Sequence, residues 1–199
     1  MIKINAIDKV NNLIDSNNGY LTANMAKENE IDNKILQRMV KSELIERVAH
    51  GLYTKTDIFP DPFYIAQYRC PKGVFSHLTA MYLHGFSDRY PIKTTLTIPT
   101  GSDTKLLADN NYIFYYNSPR LMELGVVEIK SDSNMLVKAF DIERTLCDCL
   151  KHVNKMDKDL VLAGFKRYLQ SNMRNNIKLI EYAGELKIED TVRQYLEVL

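Results

Sequence analysis

Apolar residues near the start of the chain recur every three or four positions, as they do along one face of a helix. Residues 4–15 carry this pattern, and the Asn-Asn-Gly sequence at residues 17–19 favours the left-handed backbone that ends helices. Thr22 and Asp32 are suited to cap two further helices, the second of which is predicted over residues 33–43. The pattern therefore predicts three consecutive helices.

The helix predicted over residues 33–43 has an apolar arc and a separate polar arc. The polar arc consists of amides and cations, with no acidic residue before Glu43. Asparagine and glutamine can pair with adenine, arginine with guanine, and lysine can neutralise phosphate. A helix that is merely solvated also shows a polar face, so this pattern alone leaves both interpretations open.

The residues after this helix predict a β-hairpin. Residues 44–48 alternate between apolar and polar, residues 49–51 supply a small tip, and residues 52–54 return. A hairpin directly after such a helix is typical of a winged helix-turn-helix, and the region from Lys34 to Lys55 carries three more cations than acids. The candidate DNA-binding residues are Thr22, Asn33, Lys34, Gln37, Arg38, Lys41, Arg47 and His50.

The remainder of the chain predicts a second domain after a proline-containing break at residues 55–63. The predicted strands cover residues 92–98, 112–116, 125–130 and 135–139, and the predicted helices cover residues 77–83, 142–151, 158–170, 176–186 and 189–198. The predicted fold class is α+β. It comprises an N-terminal winged helix-turn-helix over residues 1–58 and a mixed α/β C-terminal domain over residues 63–199, with a small sheet and several C-terminal helices.

Composition constrains the function without defining it. The 199 residues are 45% hydrophobic, which is enough for proper cores, and the net charge of +1 means that any DNA site must rest on local clustering. No apolar run approaches the roughly 18–20 residues that span a bilayer, and the N-terminus lacks the apolar core of a signal peptide. We therefore expect a cytoplasmic protein with no membrane partner.

Residues suited to catalysis or metal binding are sparse. His77 and His84 lie seven residues apart on one predicted helix, but metal-binding helices usually use a spacing of four, and no third ligand is evident. The sequence Glu128-Ile129-Lys130 is similar to the E-x-K of metal-dependent nucleases, yet the two preceding predicted strands contain no acid. We expect no enzymatic activity, no metal and no cofactor.

Several segments resemble one known family. The run LIERVAHGLY at residues 44–53, with Leu36, Met39 and Val40 before it, resembles the winged-helix region of AbiEi antitoxins from bacterial abortive-infection systems, AbiE, which are type IV toxin–antitoxin systems. The segments at residues 76–85 and 141–148 resemble the second domain of the same family. One departure is His50, because family members commonly carry a basic residue before the wing-tip glycine.

The resemblance implies two activities. The N-terminal domain would repress the protein's own operon by binding inverted repeats in double-stranded promoter DNA, with molecules that are monomeric in solution bound side by side. The second domain would neutralise a nucleotidyltransferase-type toxin, with or without a stable complex. The alternatives are a ligand-responsive regulator with no toxin partner, and a toxin-binding or nucleic-acid-modifying protein with an incidental winged helix.

The helix predicted over residues 142–151 offers candidates for the second activity. Its charges alternate in sign at spacings of three and four residues, which permits mutual support along one face. Either this face is a solvated stripe of salt bridges, or it contributes to toxin neutralisation. The candidate residues for neutralisation are His77, Asp141, Arg144, Asp148 and Lys151.

Overall fold

The computed structural model describes residues 2–104 and 111–198. The chain divides into two compact units, Met1–Ile65 and Ala66–Leu199. Both helices and sheets are present, which confirms the predicted α+β class. Among the described residues, no helix is both long enough and apolar enough to cross a membrane.

The first unit contains three helices and a small antiparallel sheet with strand order β1-β3-β2. Its elements are α1 (Ile2–Ser16), β1 (Tyr20–Thr22), α2 (Ala23–Glu28), α3 (Asn33–Lys41), β2 (Ile45–Ala49) and β3 (Leu52–Lys55). Thr22 Oγ1 accepts a hydrogen bond from the Met25 amide at 3.1 Å, and Asp32 Oδ1 accepts one from the Lys34 amide at 2.8 Å. Both side chains therefore cap helices, as predicted.

The core of the first unit is formed by the apolar arcs of its helices and one face of its sheet. The buried residues that form it are Val10, Ile14, Leu21, Ala26, Ile31, Leu36, Met39, Ile45 and Tyr53. The turn after α1 places Gly19 at a φ of +89°, and a Cβ atom there would lie 2.8 Å from Ile58 Cδ1. The positive φ favours glycine at this position, and any larger residue would also require the Ile58 side chain to shift.

The second unit contains a mixed five-stranded sheet and a group of helices. Its elements follow α4 (Pro62–Arg69), whose residues fall on both sides of the boundary between the units. They are β4 (Val74–Phe75), α5 (His77–Leu83), β5 (Thr94–Pro99), β6 (Tyr112–Asn117), α6 (Pro119–Glu123), β7 (Val126–Lys130), β8 (Leu136–Phe140), α7 (Ile142–Lys151), α8 (Lys158–Leu169), α9 (Asn176–Glu185) and α10 (Glu189–Val198).

The sheet has the strand order β6-β5-β4-β8-β7. β5 pairs with β6, and β4 with β8, in parallel, whereas β4 pairs with β5, and β7 with β8, in antiparallel orientation. Helix α7 contacts α5, α8, α9 and α10, and the apolar side chains of these helices form the main core. Cys147 and Cys149 are buried within it as free thiols. Because it is packed against four other helices, α7 is the central helix of this unit.

Candidate functional site

The polar arc of α3 is exposed along its length. Leu36 and Met39 are buried beneath it, which anchors the helix to the core of the first unit. The exposed residues are Asn33, Lys34, Gln37, Arg38 and Lys41. In the described part of the chain, none of these five side chains has a hydrogen bond or ion pair with another residue, so their polar groups are available to a ligand.

The β2–β3 hairpin presents two further candidates beside each other. Arg47 Nη2 donates a hydrogen bond to His50 Nδ1 at 2.6 Å, and Arg47 Nε donates to the Ala49 carbonyl at 3.4 Å. Arginine can only donate, so this contact uses the neutral His50 tautomer with its proton on Nε2. An irregularity in strand register between Arg47 and Ala49 accompanies this arrangement. The hairpin therefore holds one cation and one N–H donor together near its tip.

The hairpin tip is attached to the beginning of α2. The Ala23 amide donates a hydrogen bond to the Gly51 carbonyl at 2.7 Å, and Gly51 has a φ of +72°, which favours glycine. Thr22 is half-buried, and its hydroxyl already accepts the capping bond from Met25, which leaves the O–H and one lone pair for a ligand. Thr22 is consequently the most constrained of the eight predicted DNA-binding residues.

In the second unit, the charged face of α7 lies inside the protein. Asp141, Arg144 and Asp148 are at most 7% exposed, whereas Lys151 at the end of the helix is exposed. The interpretation of this face as a solvated stripe of salt bridges is therefore wrong for the first three residues. The reason is that distant segments of the same chain supply polar partners to this face, which local spacing cannot reveal.

Arg144 is the centre of this buried cluster. Its Nε donates to Asp148 Oδ2 at 3.1 Å, and its Nη1 donates to the carbonyls of Leu121 and Leu124 at 2.9 and 3.1 Å. The Asn117 side-chain oxygen accepts from Nη2 at 3.0 Å when its amide is oriented to satisfy both neighbours. Burial raises the pKa of Asp148 to about 6, against the opposing effect of Arg144. The arrangement is that of a structural buried ion pair.

Asp141 has a structural role in the same cluster. Its Oδ1 accepts a hydrogen bond from the Arg144 amide at 2.9 Å and so caps α7. Its Oδ2 accepts from Lys178 Nζ at 2.9 Å and from the Tyr182 hydroxyl at 3.0 Å. Oδ1 thus caps α7, and Oδ2 joins the start of α7 to α9.

His77 is buried and has partners on both ring nitrogens. Nδ1 lies 2.9 Å from Ser76 Oγ, and Nε2 lies 3.2 Å from His152 Nδ1. The ring stacks on Tyr115 with centroids 3.7 Å apart, and the backbone φ is +51°. Burial, with His152 and Arg144 nearby, lowers the pKa of His77 well below its usual range. His77 is therefore a neutral histidine held by its surroundings.

His77, the first residue of α5, and His84, the residue that follows α5, do not share a site. His84 Nε2 donates to the Phe140 carbonyl at 2.8 Å, whereas the ring of His77 contacts Ser76 and His152. Ser76 occupies the N-cap position of α5, but its hydroxyl accepts from Thr97 Oγ1 at 2.8 Å and makes no capping bond. Within the described residues, no group of three or more His, Cys, Asp or Glu side chains could hold a metal ion.

An open cavity of about 510 Å³ lies beside this cluster. Its walls are five consecutive residues of β6, 113–117, together with His77, Asp148, Lys151, His152 and Lys155. His152 is not among the residues predicted from the sequence, although its spacing of four from Asp148 was a local signal. The participation of Asn117 and Tyr115 had no local signal, because both come from a distant strand.

Comparison with known proteins gives a likeness of fold. No protein-family model matches the chain, and no curated protein matches it. The chain is similar to the crystal structure of RV2827C protein from Mycobacterium tuberculosis, with a TM-score of 0.54 and 11% sequence identity. The match covers 83% of this chain and 66% of that one, so this chain spans slightly less than two thirds of its length. At this identity the likeness shows a shared fold alone.

Proposed function

We propose that this protein is a winged-helix transcriptional regulator that reads promoter DNA with the polar face of α3. The observation that carries the proposal is the exposure of five amide and cationic side chains on one face of α3, none of them engaged elsewhere in the described chain. A surface helix that only contacts water can carry acidic residues on its polar face. A helix that neutralises phosphates and hydrogen-bonds to base edges needs a polar face without acidic residues, because these would repel the DNA.

The order of elements supports a recognition role for α3. The first unit runs helix, strand, helix, helix and hairpin, which is the order expected of a winged helix-turn-helix. An α-helix with its side chains is about 10–12 Å across, which fits the major groove of about 12 Å width, and the nine residues of α3 give it a length of roughly 13 Å. In this proposal Gln37 and Arg38 read bases, while Lys34 and Lys41 contact phosphates.

The hairpin is proposed to act as the wing. Arg47 supplies a cation for the phosphate backbone, and the bond to His50 limits the rotamers that Arg47 can adopt. His50, whose Nδ1 accepts from Arg47, adds the N–H donor at its Nε2 for a phosphate oxygen.

We further propose that the protein is a non-enzymatic antitoxin of the AbiEi type, which represses its own operon and neutralises a nucleotidyltransferase-type toxin. The resemblance of residues 44–53, 76–85 and 141–148 to that family supports this part of the proposal. Of the candidates in the second unit, Lys151 is exposed and available to a partner. His77, Asp141, Arg144 and Asp148 would act by maintaining the shape of the surface around them.

The DNA-binding proposal is tested by fluorescence anisotropy with the protein's own promoter. The variant Arg38→Ala/Lys41→Ala/Arg47→Ala should lose specific binding. The charge-matched control Lys130→Ala/Lys138→Ala/Lys158→Ala, which changes three exposed lysines of the second unit, should retain it. Equal affinities for the two variants would exclude α3 and the hairpin as the DNA interface.

The antitoxin proposal is tested by co-expression with the product of the neighbouring gene. The same α3 and hairpin variant should fail to repress the promoter yet still restore growth. If the neighbouring product is harmless, or if wild-type protein gives no rescue, the protein is a regulator without a toxin partner. Loss of rescue together with loss of repression in a folded variant would place neutralisation on the DNA-binding surface instead.

A further inference from the structure

The outer edge of β6 has features of a site that accepts an additional strand. β6 is at one end of the strand order and pairs with β5 on one side only, among the residues that the structure describes. Its sequence, YIFYYN, has no charge and no proline, and Ile113 and Tyr116 are 42% and 51% exposed. Natural edge strands of this length usually carry charges, prolines or a cover that prevents further pairing.

The hydrogen-bond pattern identifies which backbone groups point outward. Thr94 and Thr100 donate to the carbonyls of Asn111 and Asn117, so odd-numbered residues of β6 direct their backbone groups toward β5. The amide and carbonyl of a strand residue share one side, and sides alternate along the strand. Phe114 and Tyr116 therefore direct theirs away from the sheet. In the described chain neither amide N–H has an acceptor, whereas the Tyr116 carbonyl accepts one bond, from the Asn117 side-chain amide at 3.2 Å, and retains its second lone pair.

The cavity of about 510 Å³ lies along this same edge. Side chains of successive strand residues point to opposite faces, so a cavity on one face would be lined by alternate residues. This cavity is lined by every residue from 113 to 117, which means that it borders the backbone edge itself. Five residues at roughly 3.3 Å each provide about 16 Å of edge, enough for a short extended segment.

The opposite wall of the cavity is cationic. Lys151 and Lys155 line it and are exposed, and the acid that lines it, Asp148, is paired with Arg144 at 3.1 Å. Two copies of β6 paired edge to edge would bring like charges together, which disfavours self-association through this edge. A segment with acidic side chains would instead complement both the lysines and the backbone edge.

We infer that the outer edge of β6 binds an extended, acidic segment of a partner protein, which pairs with Phe114 and Tyr116 as an added strand and directs carboxylates toward Lys151 and Lys155. Main-chain hydrogen bonds supply affinity in this mode of recognition, and side chains supply specificity. The site lies outside the proposed DNA-reading surface and does not depend on DNA binding. It provides the second unit with a surface for a protein partner.

Amide hydrogen exchange of the full-length protein, followed by NMR, tests the pairing residue by residue. The probe is a short synthetic peptide in which glutamate alternates with valine and threonine, and the control peptide has lysine in place of glutamate. The glutamate peptide should slow exchange of the Phe114 and Tyr116 amides about tenfold or more, since exchange then requires opening of the added strand. The lysine peptide should leave both amides unchanged.

Two sets of variants separate the backbone from the charges. Lys151→Glu/Lys155→Glu should weaken binding of the glutamate peptide about tenfold, whereas Lys158→Glu, which lies outside the cavity, should not. Tyr116→Pro removes an outward amide and should abolish binding, whereas Tyr116→Ala, which retains the amide, should reduce binding only in part. Circular dichroism of each variant establishes that the fold is retained.

Three results would overturn the inference. The first is unchanged exchange at Phe114 and Tyr116 with the glutamate peptide at saturating concentration. The second is equal protection by the glutamate and lysine peptides. The third is protection that rises with protein concentration in the absence of peptide, which would assign this edge to a second copy of the chain.

Discussion

Helices α3 and α7 have similar sequence patterns and opposite surroundings. Each has an apolar arc buried in the core of its own unit and a separate polar arc rich in charge. The polar arc of α3 meets solvent, whereas Arg144 and Asp148 on α7 are at most 2% exposed. An amphipathic helix therefore indicates two faces, but it does not indicate whether the polar face meets water, a ligand or the rest of the chain.

The difference lies in what the rest of the chain supplies. Around α7, the carbonyls of Leu121 and Leu124, Asn117 and Lys178 provide partners for buried charges. Around α3, no such partners exist in the described residues. Polar groups satisfied within the fold contribute to structure, and polar groups left to solvent remain available for recognition. The polar arc of α7 therefore has a structural role, whereas the polar arc of α3 is available for the DNA binding that we propose.

The largest expected effect is on stability. Arg144→Met should lower the free energy of unfolding by about 3–5 kcal/mol, because it leaves the Asp148 carboxylate buried without its partner. Arg38→Met on exposed α3 should change it by about 0.5 kcal/mol or less. Urea unfolding of both variants measures the difference, and equal losses would contradict the distinction between the two helices.

A double variant refines this result. Arg144→Met/Asp148→Leu removes both charges together, so it should recover part of the stability lost in Arg144→Met, since apolar replacement of a buried pair is often tolerated. A double variant less stable than the single one would mean that the carbonyl and Asn117 contacts of Arg144 matter more than the ion pair.

The second expected effect is on DNA affinity. Gln37→Ala or Arg38→Ala should cost about 1–3 kcal/mol of specific binding and relax base preference at one position, if each makes a bidentate base contact. Lys158→Ala serves as a control for the loss of an exposed polar side chain. If the variant loses the same amount of affinity for promoter DNA and for unrelated DNA, the residue contacts phosphates and not bases.

A smaller effect concerns salt. Lys41→Ala or Arg47→Ala should reduce the slope of log affinity against log salt concentration by about one unit, because each lost phosphate contact releases about one counterion fewer. Titrations at several salt concentrations measure the slope. A slope equal to that of the wild type would remove that residue from the DNA interface.

The smallest expected effect is on pH dependence. The pKa of buried His77 is lowered in the folded state, so the unfolded chain takes up a proton first as the pH falls below about 6.5, and stability falls with it. His77→Asn, which tolerates the positive φ, should lose this part of the pH dependence. The raised pKa of buried Asp148 has the opposite effect, since it increases stability as the pH falls, and it does so equally in the wild-type protein and in the variant. The free energy of unfolding, measured at pH 7 and at about pH 5, should therefore decrease less in the variant than in the wild-type protein.

The sequence predicted the helices well where the residue that caps a helix directly precedes it in the sequence. Asp141 caps α7, and the helix covers Ile142–Lys151, the same range that the sequence predicts. Helix α3 ends two residues earlier than predicted, because Glu43 adopts a φ of +56° and the Leu44 amide returns to the Met39 carbonyl. Such differences of one or two residues do not alter which side chains α3 exposes.

Contacts between distant residues could not be predicted in this way. The Ser76 hydroxyl bonds to Thr97 and to its neighbour His77 in place of the backbone of α5. The burial of Arg144 depends on Asn117 and on two carbonyls some twenty residues away in sequence. No periodicity along α7 carries that information, which is why its charged face was open to interpretation as a solvated stripe.

The most direct test of the central claim is promoter binding by Arg38→Ala/Lys41→Ala/Arg47→Ala, measured beside its unfolding free energy. The account predicts loss of specific binding with nearly unchanged stability, because these side chains are exposed and none of the three contributes to the core. Promoter affinity equal to that of the wild-type protein would contradict the assignment of α3 and the hairpin as the DNA reader.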